Sequence, residues 1–241
     1  MSTLKIKNLQ NVFHHCEFLG SMFLVIAAIS PTILFTELLG SNLAIAVLAD
    51  AIAVGFVLYA LIEIFSPVCT SFFNPAVTLA LAIDKKLTWK KFTVYTLNQI
   101  LGGITGILIS HMMFYHEIPK LIEISTITRS GGNYLAEVLG TFFLILAIFS
   151  LVEQKSNKTA QLIGFLVAGM LLATSSTMFA NPQVTLARIF TYSIAGISPI
   201  DAGIFIIMQL IGAILGIIAF KHMKKNCSDY NACRYNNEIH Q

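Results

Sequence analysis

Six long apolar stretches, at about residues 13–35, 43–66, 92–113, 133–152, 160–179 and 202–222, decide what this chain can fold into. Each reaches the roughly 20 residues that an α-helix needs to cross a bilayer. In lipid every backbone N–H and C=O must be paired inside the protein, which leaves only helices or closed barrels. These runs are too long for barrel strands and do not alternate apolar with polar residues. The chain is 56% hydrophobic and only 11% charged, against about 25% charged in soluble domains. It therefore reads as an all-α integral membrane protein. The first stretch continues as "FLVIAAISPTILF" past any small-residue cleavage site, so it reads as a retained helix and not as a signal peptide.

Charge sets the orientation. Lys5, Lys7, Lys85, Lys86, Lys90, Lys91, Lys155, Lys158, Lys221, Lys224, Lys225 and Arg234 all fall on one face of the implied topology. Only Lys120, Arg129 and Arg188 fall on the other. The positive-inside rule then puts both termini in the cytoplasm of a multi-pass protein of the cell (inner) membrane. The net charge of +3 reports this topology and not nucleic-acid binding. The chain divides into a cytoplasmic N-terminus (1–12), one transmembrane domain (13–222) and a polar cytoplasmic tail (223–241) that reads as mobile. The four cysteines do not read as a disulfide framework, since Cys227 and Cys233 lie in the tail on the reducing side. No ligand cluster supports a metal site.

The apolar stretches are not independent. "CEFLGSMFLV" (Cys16–Val25) is matched by "AEVLGTFFLI" (Ala136–Ile145), and "NQILGGITG" (Asn98–Gly106) by "MQLIGAILG" (Met208–Gly216). Between them, in the same order, come "NPAVTLALAI" (Asn74–Ile83) and "NPQVTLARIF" (Asn181–Phe190). Three ordered matches, each keeping polar residues in place, mark a repeat, with one copy at about 13–113 and the other at about 133–222. Each copy has three spans, an odd number, so the second enters the membrane upside down. In such inverted repeats the site lies near the midplane where the copies meet. Asn is a favoured N-cap and Pro a favoured first helical residue. Ten residues of helix make roughly 15 Å, half a bilayer. The Asn-Pro segments therefore read as re-entrant half-helices that enter from opposite faces and bring Asn74 and Asn181 together.

Two Asn-Pro half-helices, with Glu-x-x-Gly-Ser/Thr opening the first and fourth spans, resemble the aquaporin (major intrinsic protein) family over about residues 13–222. The resemblance implies six transmembrane helices plus two half-helices, a pore in each subunit of a homotetramer, passive movement of water or small uncharged solutes, and no cofactor. It assigns Asn74, Pro75, Ala76, Asn181, Pro182 and Gln183 to the centre of the pore. It also implies that Glu17 and Glu137 hold exposed backbone of the half-helix loops, although carboxylates in the headgroup region would read the same way. Gln99 and Gln209 are expected to bond within the bundle. Helix N-termini carry about half a positive charge each, and two aimed at one point repel cations and protons while admitting neutral solutes.

The second half departs from the family pattern, which reads Asn-Pro-Ala-Arg. Here Gln183 and Val184 occupy the third and fourth places, and Arg188 comes one turn later. Family spacing puts Val54, Gly169, Met178 and Val184 at the outer constriction, a set with no aromatic, His or charge, so a wide apolar ring is expected. "TSSTMFANPQVTLAR" (Thr174–Arg188) is similar to a bacterial subgroup with Val in place of the pore Arg, associated with arsenic-resistance operons. That similarity implies passage of glycerol-like polyols and of arsenicals, including methylated ones. In the first half, Cys69, Thr70, Ser71 and Phe72 replace the usual residues before Asn-Pro, and Phe72 either narrows the inner pore or packs beside the loop. Gln183 is either an extra polar group near Asn181 or a side chain absorbed by neighbouring backbone.

Asp50 lies one turn outward of Val54 and reads as a vestibule residue or as a solvated carboxylate. Arg188 reads as a mouth residue or as a partner of outer-loop carbonyls or a carboxylate, outside the constriction itself. Glu63 is deeper and requires a partner. Cys69 reads as a buried small residue. The six histidines show no ligand spacing and read as helix-end or tail residues. Asp50 and Glu63 are also what an ion-coupled secondary transporter would use, and a water-selective channel is a further alternative. No Ser/His/Asp, metal or nucleotide motif points to an enzyme.

Overall fold

The computed structural model describes residues 3–239, with side chains described over 15–226. Lys5, Lys7, Cys227, Cys233 and Arg234 therefore have side chains outside the described residues. The order is α1 (Thr3–Thr32), a π-helical turn (Ile33–Leu38), α2 (Leu43–Phe65), α3 (Pro75–Ile83), α4 (Trp89–Met113), α5 (Gly131–Glu153), α6 (Thr159–Ala173), α7 (Pro182–Ala187) with a 3-10 turn (Arg188–Phe190), and α8 (Pro199–Ile239). Among the described residues there is no strand. Five segments are long and apolar enough to cross a membrane: His15–Leu38, Leu43–Phe65, Trp89–Met113, Gly131–Glu153 and Pro199–Asn226. The sixth, α6, is apolar but only 15 residues long.

The short α6 corrects the expected span 160–179. The helix stops at Ala173, and the Thr174 hydroxyl accepts the Met178 backbone N–H at 3.0 Å. Thr177, Met178 and Ala180 then take left-handed backbone, φ 58°, 35° and 45°. Residues 174–180 are thereby spent on the loop that delivers Asn181. The sequence does mark the place, with Thr174, Ser175, Ser176 and Thr177 directly after Ala173, but a hydropathy window averages these four small polar residues with the apolar ones on either side.

Helices pair as the repeat demands. α1 packs on α4, its counterpart α5 packs on α8, and α2 meets α6 across the boundary between the copies. Lipid is as apolar as the side chains it replaces, so helices associate there through close packing at small residues. A Cβ on Gly102 would overlap the Phe18 carbonyl oxygen, and one on Gly106 would lie 2.6 Å from that of Met22. In the second copy, a Cβ on Gly212 would overlap the Val138 carbonyl, and one on Gly216 would lie 2.8 Å from that of Phe142. The same four-residue step of glycines thus sets both interfaces. At the end of α3, Asp84 pairs with Lys221 at 2.9 Å and Lys86 at 3.1 Å. Partial burial pushes its carboxyl up, but the two ammonium groups outweigh this and hold it below its ordinary range.

Cys16 and Cys69 form a disulfide, with Cα atoms 6.5 Å apart, which corrects the reading of the cysteines as unpaired. The neighbouring Glu17 pulls the loop of residues 72–73 onto α1, and that brings Cys69 beside Cys16. Their spacing of 53 residues gives no local signal of the pairing.

Overpacking typically costs about 1–3 kcal/mol. Gly102→Ala should therefore lower the thermal unfolding temperature of the detergent-solubilised protein. Gly203→Ala, where an added Cβ meets nothing within 4 Å, should not. Equal effects of the two would show that close approach at α1–α4 does not set stability.

Candidate functional site

The two half-helices meet at their starts. Asn74 and Asn181 are the N-cap residues of α3 and α7, with Pro75 and Pro182 as the first helical residues. Each Asn carbonyl oxygen accepts a backbone N–H of its own helix, from Ala76 at 2.9 Å and from Gln183 at 3.2 Å. Each Asn amide donates across the junction: Asn74 to the Ala180 carbonyl at 2.8 Å, and Asn181 to the Phe73 carbonyl at 2.9 Å. An amide nitrogen has two hydrogens, so one on each Asn remains after the clasp is made.

The residues just before the two Asn-Pro pairs are strained in the same way. Phe73 and Ala180 have φ of 49° and 45°, which costs a non-glycine residue roughly 1–2 kcal/mol. Buried carboxylates hold them there. Glu17 accepts the N–H groups of Phe72 and Phe73 at 3.0 and 2.9 Å. Glu137 accepts those of Phe179 and Ala180 at 2.9 and 2.8 Å, and the Ser176 hydroxyl at 2.6 Å. Gln99 donates to Glu17 at 2.7 Å and to Thr78 at 3.0 Å. Gln209 repeats this with Glu137 at 2.7 Å and Thr185 at 2.8 Å. The glycine of each Glu-x-x-Gly motif leaves room for the loop: a Cβ on Gly20 would overlap the Phe73 ring, and one on Gly140 would lie 2.8 Å from Met178 Cγ.

A cavity of about 220 Å³ runs past this junction. Its lining includes Ser66, Ser71, Phe72 and Thr159 toward one end, Asn74 and Asn181 midway, and Val54, Met178, Val184 and Arg188 toward the other. Its walls are otherwise apolar, with Thr159, Ile163, Val167 and Leu171 marking one face of α6. Pro75, Ala76, Pro182 and Gln183 are buried behind the two Asn side chains and do not line it. Among the described residues no group of three His, Cys, Asp or Glu side chains could hold a metal ion.

Gly169 is misplaced by family spacing. It is exposed and lies among Phe143, Phe165, Leu166 and Met170 on the outside of the bundle. The lining set Thr159, Ile163, Val167 and Leu171 runs in steps of four, and Gly169 falls between two of them, turned away. Glu63 is also exposed and not deep. Phe72 does both things considered for it, lining the cavity and packing its ring 6.1 Å from that of Tyr95.

Arg188 is buried, and its Nη2 donates to the Ala28 carbonyl at 3.1 Å and to Asp50 at 3.5 Å. Its partners are on helices α1 and α2, not in the outer loops, and the residue lines the cavity as well. Gln183 turns toward α4, where its Oε1 lies over Gly103 and its Nε2 reaches the Phe73 carbonyl at 3.4 Å. His111 stands in the last turn of α4, the helix-end place read from the sequence, but nothing in the sequence shows its burial or its partners. It is buried, joins the Leu121 carbonyl at 2.7 Å to Thr191 at 2.9 Å, and stacks on Tyr192 at 4.5 Å. It ties two connecting loops together, and only its place near the end of an apolar stretch could have flagged it.

Comparison with known proteins supplies independent information. The family model described as "Major intrinsic protein" matches residues 3–179. The second half-helix falls outside that stretch. The chain is 34% identical over 202 residues to aquaglyceroporin AqpS of Rhizobium meliloti (strain 1021), which covers 83% of this chain and 85% of that protein. It is 26% identical over 258 residues to aquaporin-10 of Homo sapiens, with 92% of this chain and 83% of the relative covered. The X-ray structure of the aquaglyceroporin from Plasmodium falciparum superimposes with a TM-score of 0.66 at 18% identity, over 87% of this chain and 93% of that one. At that identity the likeness concerns the fold.

Two outcomes test the geometry. Glu137→Leu strands four donors, and each buried unsatisfied group costs about 1–3 kcal/mol. It should abolish recovery of folded protein, while Glu137→Gln, which keeps an acceptor, should be milder. Equal recovery of Glu137→Leu and the parent by size-exclusion profile would contradict the role given to this carboxylate. Gly103→Ala should destabilise by pressing on Gln183, and Gly103→Ala with Gln183→Ala should recover most of the loss. Failure of the double substitution to recover thermal stability would show that the two residues do not share that space.

Proposed function

The chain belongs to the major intrinsic protein family, and on that premise we propose that it passes neutral solutes larger than water, of the glycerol and arsenical kinds. It is a multi-pass membrane channel for small uncharged solutes and not an enzyme. The observation that carries the size reading is Val184. It holds the fourth place of the second Asn-Pro helix and lines the cavity beside Val54 and Met178. We assign these three residues to the outer constriction, with Leu171 as their neighbour from α6. A ring of this kind has few donors for water and room for solutes with apolar faces. Val in the place of the family's Arg also supports placing the chain with the arsenic-operon-associated subgroup. The relative at 34% identity is by its name an aquaglyceroporin, which agrees with glycerol-like solutes.

In this reading Asn74 and Asn181 present the central donors, and Glu17 and Glu137 hold their loops. The α3 and α7 dipoles, both aimed at the junction, oppose cations and protons. Ion coupling lacks its groups: Asp50 is paired with Arg188, and Glu63 faces outward. The channel domain spans 13–222, built from the repeats 13–113 and 133–222. The lysine-rich face supports cytoplasmic termini in the inner membrane, and the family supports a homotetramer.

Val184→Arg should cut glycerol and methylated-arsenical flux in proteoliposomes by about tenfold or more, the effect of roughly 1.4 kcal/mol on a barrier. Water flux should fall less. Equal passage of all three by parent and variant, measured by stopped-flow, would remove Val184 from the constriction.

A further inference from the structure

We infer that Asp50 is the counter-charge that keeps the outer end of the passage neutral, so that Arg188 meets solutes as a hydrogen-bond donor without trapping anions. This rests on the channel reading and adds the group that separates neutral solutes from anions.

Arg188 lines the cavity four residues beyond Val184, yet its side chain is only 4% exposed and that of Asp50 only 5%. Only Nη2 has protein acceptors, the Ala28 carbonyl and Asp50, and Nε has none. A guanidinium carries five N–H donors in a fixed plane, so donors remain on Arg188, the one fully charged side chain among the described residues that lines the passage. The plane is steadied by the Phe179 ring, whose centroid lies 4.1 Å from Cζ.

The other charges nearby are already committed. Arg129 sits 5.3 Å from the same ring and donates to the Gly196 carbonyl, while its backbone N–H bonds Asp201. Glu137 is occupied by the loop of residues 176–180 and by Gln209. Asp50 is the carboxylate in contact with Arg188, and it sits behind the wall, outside the cavity lining. It therefore acts through Arg188, as a positioning and neutralising residue. Among the described residues its side-chain partner is Arg188, through Oδ2 at 3.5 Å, so what it brings to this place is a charge opposite to the guanidinium. A cleft lined by one sign of charge between low-dielectric walls raises the local concentration of counter-ions by about tenfold or more, and a lone uncompensated charge acts in the same direction. A bare guanidinium here would gather anions at the mouth. Paired with Asp50, it offers donors to hydroxyl-bearing solutes with no net charge.

The test is glycerol flux in proteoliposomes, at fixed osmolarity and ionic strength, with chloride or the bulky anion gluconate. The parent should show the same rate in both. Asp50→Asn keeps the shape and removes the charge, and its rate in chloride should fall to about a third of its rate in gluconate, a smaller effect than the enrichment in a cleft lined throughout by one sign of charge. Arg188→Gln removes the guanidinium and should be indifferent to chloride. The double variant should be indifferent to it as well. A packing role alone would lower flux without any dependence on ion identity. Equal rates of Asp50→Asn in chloride and gluconate would overturn the inference. If that variant cannot be recovered folded, the same comparison on Asp50→Ser serves in its place, and equal rates in chloride and gluconate would again overturn the inference. Recovery of the double variant alone would also overturn it, since the pair would then be structural. A parent that passes no glycerol would remove the channel reading along with the inference, and it is recognised by failure before any substitution.

Discussion

Everything in this structure depends on two helix starts meeting inside the membrane. A helix N-terminus leaves backbone N–H groups without partners, and lipid supplies none. Here each Asn side chain satisfies its own helix through Oδ1 and clasps the opposite loop through Nδ2. The clasp requires the carbonyls of Phe73 and Ala180 to point across the junction. That orientation puts both residues in left-handed backbone, which in turn leaves consecutive loop N–H groups to be collected by one buried carboxylate in each copy. Glu17 and Glu137 are thus consequences of the junction. So are Gln99 and Gln209, which bond those carboxylates, and Gly20 and Gly140, which leave room for the loops. Six residues in two threefold sets follow from one geometric demand.

The same demand shapes what can pass. Once the Asn amides are held by backbone on one side, their remaining hydrogens point to a fixed place, with no reorganisation as a solute arrives. A solute with a hydroxyl can exchange water for these donors and continue. In the proposed channel a cation meets two helix N-termini and loses its hydration to apolar walls. Such selection works by position and charge and needs no moving part.

Much of this was legible in the sequence, and the reasons differ by element. The half-helices announced themselves because Asn-Pro is both a cap and a helix start, and because the motif occurs twice in register with two other matches. The carboxylates stood out because an ionisable group in an apolar run is costly. Other features left a fainter trace or none. The end of α6 is marked only by four small polar residues, Thr174 to Thr177, which a hydropathy window averages away between their apolar neighbours. Gly169 was placed by counting from a motif on a different element, and a helix turns by about 100° per residue, so an error of two residues moved it to the outer surface. The Cys16–Cys69 pair depends on a loop that is folded back by Glu17, a contact no spacing rule reports. His111 shows no partner in sequence because its partners lie in two loops.

The repeat is most informative where it breaks. Ala76 and Gln183 occupy the same place in the two half-helices, and Gly103 and Ala213 the same place in the helices behind them. In the second half-helix the large residue faces α4, where Gly103 leaves space for it; the counterpart places hold two alanines. The bulk of one side chain has been exchanged across the interface while the junction keeps its form. Gln183 spends the exchange on the Phe73 carbonyl, the acceptor that Asn181 also uses. The first copy has no such second donor, so the Phe73 side of the clasp is held by two amides and the Ala180 side by one. The loop that carries Met178 is held instead through the Ser176 hydroxyl on Glu137 and through the Met178 N–H on Thr174, so the two like halves reach the same clasp by different bonds.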